Sequence, residues 1–389
     1  MGISHWAYVR GCLRVLAPTN QFSLLQLLAM RSRILSSPLR FVCAATLVGS
    51  IALVLICLLP HDRYVRFQNL TDSAVVKSTW IYERIHFDPT PIDVAFIGTS
   101  HTVFGIDSAI VENACAEAGG AECHIVNFGL EHLGRNLHWL IVRELLENRK
   151  PHLIVIEVQE TEFRALHPAF AYLADVTDII TAPIVINTSF VSDLLHLPLR
   201  QIVLFAHSIA PSLFDAHSDF RPAMYRGAHW DDTLEARSSV ELPIQSPEQR
   251  TRAASRNELE RERAYSAAED AKHFELPSRF RPLEYRANVR YLQMTVELAR
   301  EKNVPVQFLY LPSFGENSAP AFSDLYSQLA PTWQFPQAIL DKPALWLDIG
   351  HLNYYGASVL SQWLGTQVAR LHPARVSGAS ISQEGRRQP

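Results

Sequence analysis

Polar and apolar residues alternate along this chain in two regimes. Near the start, Phe41 to Leu59 forms a run of 19 residues without a charge, dominated by Ala, Val, Leu and Ile. At about 1.5 Å per residue, a helix over that run extends about 28 Å, close to the hydrocarbon thickness of a bilayer. A buried core helix of that length would rarely lack a charge. After Pro60 the pattern changes to short apolar runs separated by stretches with helical spacing.

Val94–Ile97 is a four-residue apolar run and reads as a strand. Asp107 to Glu117 has helical spacing, with Asp107 or Ser108 as its cap. A second strand is expected at His124-Ile125-Val126-Asn127. It leads to a helix over Leu133–Asn148 whose Leu137, Leu140, Ile141, Leu145 and Leu146 share one side. Leu153–Val158 is a continuous apolar run, as in a strand covered on both faces. The pattern resumes with a helix over Tyr285–Lys302, a strand over Val304–Leu311 stopped by Pro312, and a last strand at Ala344–Leu347. A final helix capped by Asn353 runs to about Leu371. This β-α-β-α-β order predicts an α/β fold, a three-layer α/β/α sandwich on a parallel, flavodoxin-like five-stranded sheet. Ligands of such sheets bind beyond the carboxyl ends of the strands, where Ser100 and Asp348 are expected.

The resulting division is a tail at 1–40, a transmembrane anchor at 41–59, a connecting segment at 60–92 and an α/β domain at 93–372. A largely helical insertion at about 164–284 interrupts the domain, and 373–389 reads as a disordered tail. The first half of the insertion is strongly apolar, but Asp193, His196 and Arg200 break it up. Helices packed over the active-site side of the sheet fit it better than a second membrane crossing, with surface contact to lipid as the other option. Its second half, about 235–272, is charged and reads as a solvated helix or loop without chemistry.

Charge changes the picture only locally. The net charge of −4 gives no case for nucleic acid. Residues 1–40 hold Arg10, Arg14, Arg31, Arg33 and Arg40 and no acid, the first carboxylate being Asp62. Arginines on that side keep it in the cytoplasm, so the chain after Pro60 is expected outside, on the periplasmic side of the inner membrane. A cleaved signal peptide fits poorly, since the apolar run is long and no small-x-small site follows it. Of the five cysteines, only Cys115 and Cys123 fall in the exported part. They flank a Gly119-Gly120 pair, so a short disulfide loop is expected in that compartment, with two buried free thiols as the alternative.

The candidate chemistry lies in two distant islands, Gly98-Thr99-Ser100-His101 and Asp348-Ile349-Gly350-His351-Leu352-Asn353. A serine becomes a useful nucleophile when a base takes its proton and a third group orients that base. Ser100 follows a strand, where its own N–H can face a developing oxyanion. Two residues between Asp348 and His351 let the carboxylate reach Nδ1 and leave Nε2 for the serine. His101, being adjacent on a turn, reads as a neighbour of the serine and not as its base. A metal pair at Asp348 and His351 would need further ligands, and none has suitable spacing. No cofactor is called for.

In this order and spacing the two islands resemble the SGNH/GDSL hydrolase superfamily. The resemblance covers about 93–163 and 285–370. It is closest to a membrane-anchored branch that includes alginate O-acetyltransferase accessory proteins and the D-alanyl transfer protein of teichoic acid synthesis. It implies catalytic roles for Ser100, Asp348 and His351. The second block's oxyanion glycine would correspond to Gly129 in Asn127-Phe128-Gly129, which is equally a turn glycine. The third block, often Gly-x-Asn-Asp, is replaced by Glu157-Val158-Gln159-Glu160, where Gln159 is either a substitute oxyanion donor or structural. The resemblance implies acyl transfer, with acetyl first in line, to a cell-envelope or secreted polysaccharide, and a membrane-bound O-acyltransferase as partner. A carbohydrate esterase using the same three residues, or a non-catalytic domain that binds glycan or scaffolds a membrane assembly, are the competing expectations.

Overall fold

All four residues of β1 (Val94–Ile97) are buried and none carries a polar side chain, as expected of an interior strand of a covered sheet. The computed structural model describes residues 38–70, 74–184, 186–232, 250–272 and 275–371. The expected tail up to residue 37, the C-terminal tail at 373–389 and part of the charged half of the insertion lie outside the described residues. The chain divides into two units, 1–59 and 60–389. Helix α1 (Pro38–Cys57) belongs to the first. It begins and ends slightly earlier than the uncharged run and is long and apolar enough to cross a membrane.

In the second unit, β1, β2 (Ile125–Asn127), β3 (Leu153–Val158), β4 (Val306–Tyr310) and β5 (Thr332–Gln334) form one all-parallel sheet in the order β2-β1-β3-β4-β5. Four of the five strands fall where apolar runs predict them. The fifth does not. Ala344–Leu347 makes no ladder: Pro343 starts a 3-10 turn there, and Trp346 only bridges antiparallel to Leu352. The edge strand is Thr332–Gln334 instead, paired with Phe308–Tyr310. Its three residues are half-buried or exposed, so it lacks the continuous apolar run that marks a covered strand. Asp348 consequently lies in an irregular loop and not at a strand end.

The described residues of 60–92, expected as a connector, are folded. They hold α2 (Arg63–Phe67) and α3 (Ala74–His86), whose Tyr64, Phe67, Trp80, Ile81 and Ile85 are buried. Asp62 caps α2 by accepting from Tyr64 N–H at 2.7 Å and Val65 N–H at 3.3 Å. After β1 come α4 (Ser100–Gly105) and α5 (Ser108–Glu117), the latter capped by the Asp107 side chain on Ile110 N–H as its sequence predicts. Helix α6 (Arg135–Asn148) joins β2 to β3.

The insertion contains α7 (Phe190–Ile209) and α8 (Arg256–Asp270), together with short turns. Helix α7 packs on α2 and on the short helices Phe170–Leu173 and Val176–Ile180. The chain closes with α9 (Arg286–Glu301) before β4 and α10 (Tyr354–Leu371) after β5.

Two helix pairs flank the sheet strands in the contact pattern, α5 with α10 and α6 with α9. Alternate strand residues Val94, Phe96, Leu153, Val155 and Leu309 share a core with Val111, Leu360, Leu364 and Val368 of the first pair. Burying a side chain of this size contributes about 1.5–3 kcal/mol. The pair is close: a Cβ on Gly365 would come within 2.5 Å of the Ala114 Cβ. Cys115 belongs to this core, and its sulfur lies 3.7 Å from that of Cys123. That is a contact and not a bond, so the expected disulfide is replaced by two buried free thiols. Burial pushes both thiols up, Cys123 to about 12.

Candidate active site

Ser100 begins α4 directly beyond β1, with Thr99 as the helix cap. From the other end of the chain, the loop before α10 brings in Asp348 and His351. The His351 Nε2 lies 2.9 Å from Ser100 Oγ, and its Nδ1 lies 2.8 and 2.9 Å from the two Asp348 oxygens. With Nδ1–H donating to the carboxylate, Nε2 is the nitrogen that accepts from the hydroxyl. All three side chains are half-buried, so the chain of hydrogen bonds is shielded yet reachable.

Asp348 also accepts from the N–H groups of Gly350 and His351, both at 2.9 Å. Burial pushes its carboxyl up. The hydrogen bond and charge of His351, together with the two amides, outweigh that and hold it below the usual carboxylate range. The loop is fixed from several directions. Asn353 donates to Ala344 O at 2.8 Å and accepts from Gly356 N–H at 3.0 Å, capping α10 as predicted. Ala254 N–H donates to Trp346 O at 2.8 Å, Phe314 N–H donates to Ile349 O at 2.8 Å, and Glu262 accepts from Ile349 N–H at 2.9 Å. Two of these supports come from the charged stretch read as having no chemistry; they position the loop.

Beneath the serine turn, Glu157 is buried and takes a part that sequence reading missed. It accepts from Thr99 N–H and Oγ1–H, each at 2.8 Å, and from Thr102 N–H at 3.1 Å and Oγ1–H at 2.5 Å. Burial raises its pKa, but the His101 imidazole and these donors reverse the shift and favour the ionised form. This clamp also explains Gly98. Its φ is not left-handed, and a Cβ there would sit 1.9 Å from Thr102 Oγ1 and 2.4 Å from Glu157 Oε2. The glycine is required by close approach and not by the sharp turn alone.

The oxyanion candidates fare differently. Ser100 N–H has no acceptor among the described residues. Gly129 N–H donates to Asn127 Oδ1 at 2.9 Å, and Asn127 in turn donates to Thr102 O and Ile106 O, both at 2.9 Å. Gly129 therefore belongs to the brace that holds the end of α4, and its amide is already used. The Gln159 amide donates to Glu157 Oε1 at 2.7 Å and Thr99 Oγ1 at 3.3 Å, so both its hydrogens serve the clamp. Both amides thus serve the brace and the clamp, the structural alternatives held open for them; of the three candidates, Ser100 alone presents an N–H without an acceptor among the described residues.

His101 lies beside the relay without joining it. Its ring is 5.6 Å from that of His351, and its Nδ1 is 3.4 Å from Leu311 O. Burial lowers its pKa against the opposing pull of Glu157, and it is a neighbour of the serine, as its place on the turn suggests. Phe104 packs its ring 5.0 Å from His351 on another side. No cluster of His, Cys, Asp or Glu able to hold a metal occurs among the described residues. No protein-family model matches the chain, and no curated protein matches it.

Proposed function

We propose that this chain is a membrane-anchored SGNH-type serine acyltransferase that moves an acyl group, acetyl first in line, onto hydroxyls of a cell-envelope or secreted polysaccharide. The single observation that carries the reading is the unbroken hydrogen-bond path from Asp348 through His351 to Ser100. The strand order supports the finer fold. In a sheet ordered 2-1-3-4-5, the order of strand addition reverses between β1 and β3, and two separate helix pairs are what a three-layer, flavodoxin-like sandwich needs. Ser100 lies at the carboxyl end of that strand, where such sheets bind ligands.

In the proposed reaction, Ser100 Oγ attacks the acyl carbonyl carbon as its proton passes to His351 Nε2. Asp348 holds the imidazole in the right tautomer and stabilises the imidazolium. The negative oxygen of the tetrahedral intermediate faces Ser100 N–H. Collapse breaks the bond to the leaving group, which takes the proton from His351. A sugar hydroxyl then gives its proton to His351 and attacks the acyl-serine, so the ester forms on the sugar and Ser100 Oγ regains its proton. Acyl-coenzyme A stays in the cytoplasm, so an exported enzyme needs its acyl group delivered by a membrane partner, proposed as a membrane-bound O-acyltransferase. The orientation proposed is cytoplasmic N-terminus, α1 across the inner membrane and the folded unit on the periplasmic side.

The committed Gly129 and Gln159 donors favour a second reading, a non-catalytic domain that binds glycan. A fluorophosphonate probe separates the two. Acyl transfer predicts that the probe labels the protein and that Ser100→Ala abolishes labelling, with an acyl adduct on Ser100 recovered by mass spectrometry. Absence of labelling in folded protein would favour the binding domain, and labelling retained in the variant would remove Ser100 as nucleophile.

A further inference from the structure

Helix α7 carries an apolar stripe that is left exposed among the described residues. Leu197, Arg200, Gln201 and Leu204 face inward, and the Arg200 guanidinium donates to Ala171 O and Ala174 O, each at 2.8 Å. On the outer side, Val191, Leu195, Leu199, Ile202 and Ile209 follow one another at helical spacing. Leu195 is 75% exposed, Ile209 66%, and Leu213 just past the helix 78%. Polar Ser192, His196 and His207 are gathered on a flank, so the exposed surface is sorted and not mixed. A soluble surface gains nothing from such sorting.

The position of this helix along the chain names its occupant. Asp62 N–H donates to Ser208 Oγ of α7 at 2.8 Å. A reciprocal pair joins Gln68 and His217 just beyond, with Nε2 to His217 O at 2.8 Å and His217 N–H to Oε1 at 2.9 Å. Asp62 follows Cys57, the last residue of the helix long enough to cross a membrane, by only five positions. Covalent reach alone therefore keeps Ser208 within about 20 Å of that helix end, at about 3.3–3.6 Å per residue. An apolar stripe on so short a tether meets lipid before anything else.

We propose that the outer stripe of α7 beds into the bilayer surface, with Leu195, Leu199, Ile202 and Ile209 among the acyl chains and His196 and His207 toward water. The attraction is apolar: Arg200 is the one Lys or Arg between 187 and 215, and it is buried on backbone carbonyls. The contact is the interfacial mode of an amphipathic helix, lying in the plane and not crossing. It does not depend on the acyl-transfer reading.

The test uses the full-length chain, reconstituted in phosphatidylcholine nanodiscs, with the photocrosslinker p-benzoylphenylalanine in place of Leu195, Ile209 or, as control, His196. Irradiation is expected to give lipid adducts at 195 and 209, on acyl carbons within about 5–10 Å of the headgroup boundary, and to lose them at 196. Adding phosphatidylglycerol or salt leaves the yield unchanged. No lipid adduct at either apolar position, or a crosslink to a second copy of the chain, overturns the proposal. So does the same chain in native membranes crosslinking at 195 to another polypeptide instead of lipid. Two positions on one stripe keep the outcome readable if either replacement disturbs folding.

Discussion

Five donors converge on the Glu157 carboxylate, from Thr99, Thr102 and Gln159. The two islands of sequence made Ser100, Asp348 and His351 legible, because a nucleophile, a base and its orienting acid have characteristic order and spacing. Glu157 and Asn127 were not legible. Their work is to hold backbone that only the finished sheet brings near them, and a single carboxylate in an apolar run carries no spacing to read. Gly129 misled for the same reason, since a turn glycine looks alike whether its amide is open or used. Replacing Asp348 by Asn removes the carboxylate that holds His351 in its tautomer; the proposed acyl transfer is expected to fall about 10⁴-fold, measured as turnover, with the fold intact by circular dichroism. Two histidines away from the relay set an acid limit. Burial, and for His138 the Arg135 charge, push His138 down to about 3 and His167 to about 4. From about pH 6.5 downward the unfolded chain binds protons that the folded one refuses, so stability is full above that pH and falls as acid is added. Urea unfolding of the α/β unit within the intact chain should show a loss of roughly 2–3 kcal/mol per pH unit between pH 6 and 4.5. His167→Gln should roughly halve that slope.

Among the elements, apolar runs and helical spacing located β1 to β4, α5, α6, α9 and α10 to within a few residues. They failed at the sheet edge. Thr332–Gln334 is too short and too exposed to write a period, while Ala344–Leu347 is apolar for another reason: Trp346 is buried and donates to Leu340 O beneath the active-site loop. Burial without a ladder reads as a strand. The segment at 60–92 was missed as folded because its buried residues are spread over two short helices with polar residues between them. Helix packing gives a test at this scale. Gly365→Ala puts a methyl against Ala114 and Val111 O, at 2.5 and 2.7 Å, where α5 and α10 are in close contact. The helices must part, and a loss of about 1–3 kcal/mol in thermal or denaturant unfolding is expected. A variant as stable as the parent would show that the pair has room to spare.

As a whole, the molecule joins a membrane-length helix to an α/β unit by a covalent link of a few residues. If α1 spans the bilayer, the full chain should stay in the membrane pellet after alkaline carbonate, which strips surface-bound proteins but not spanning ones. Release into the wash would remove the anchor. The relay has a further consequence for the chain as it is made. Ser100 and His351 stand 251 positions apart, and among the supports of the loop bearing His351 is the Asn353 cap of the last helix. A hydroxyl without its base is a poor nucleophile. If Ser100 is the nucleophile, the serine emerges during synthesis long before its base and stays chemically quiet, and a chain cut short of the last helix carries no live nucleophile to modify its surroundings at random.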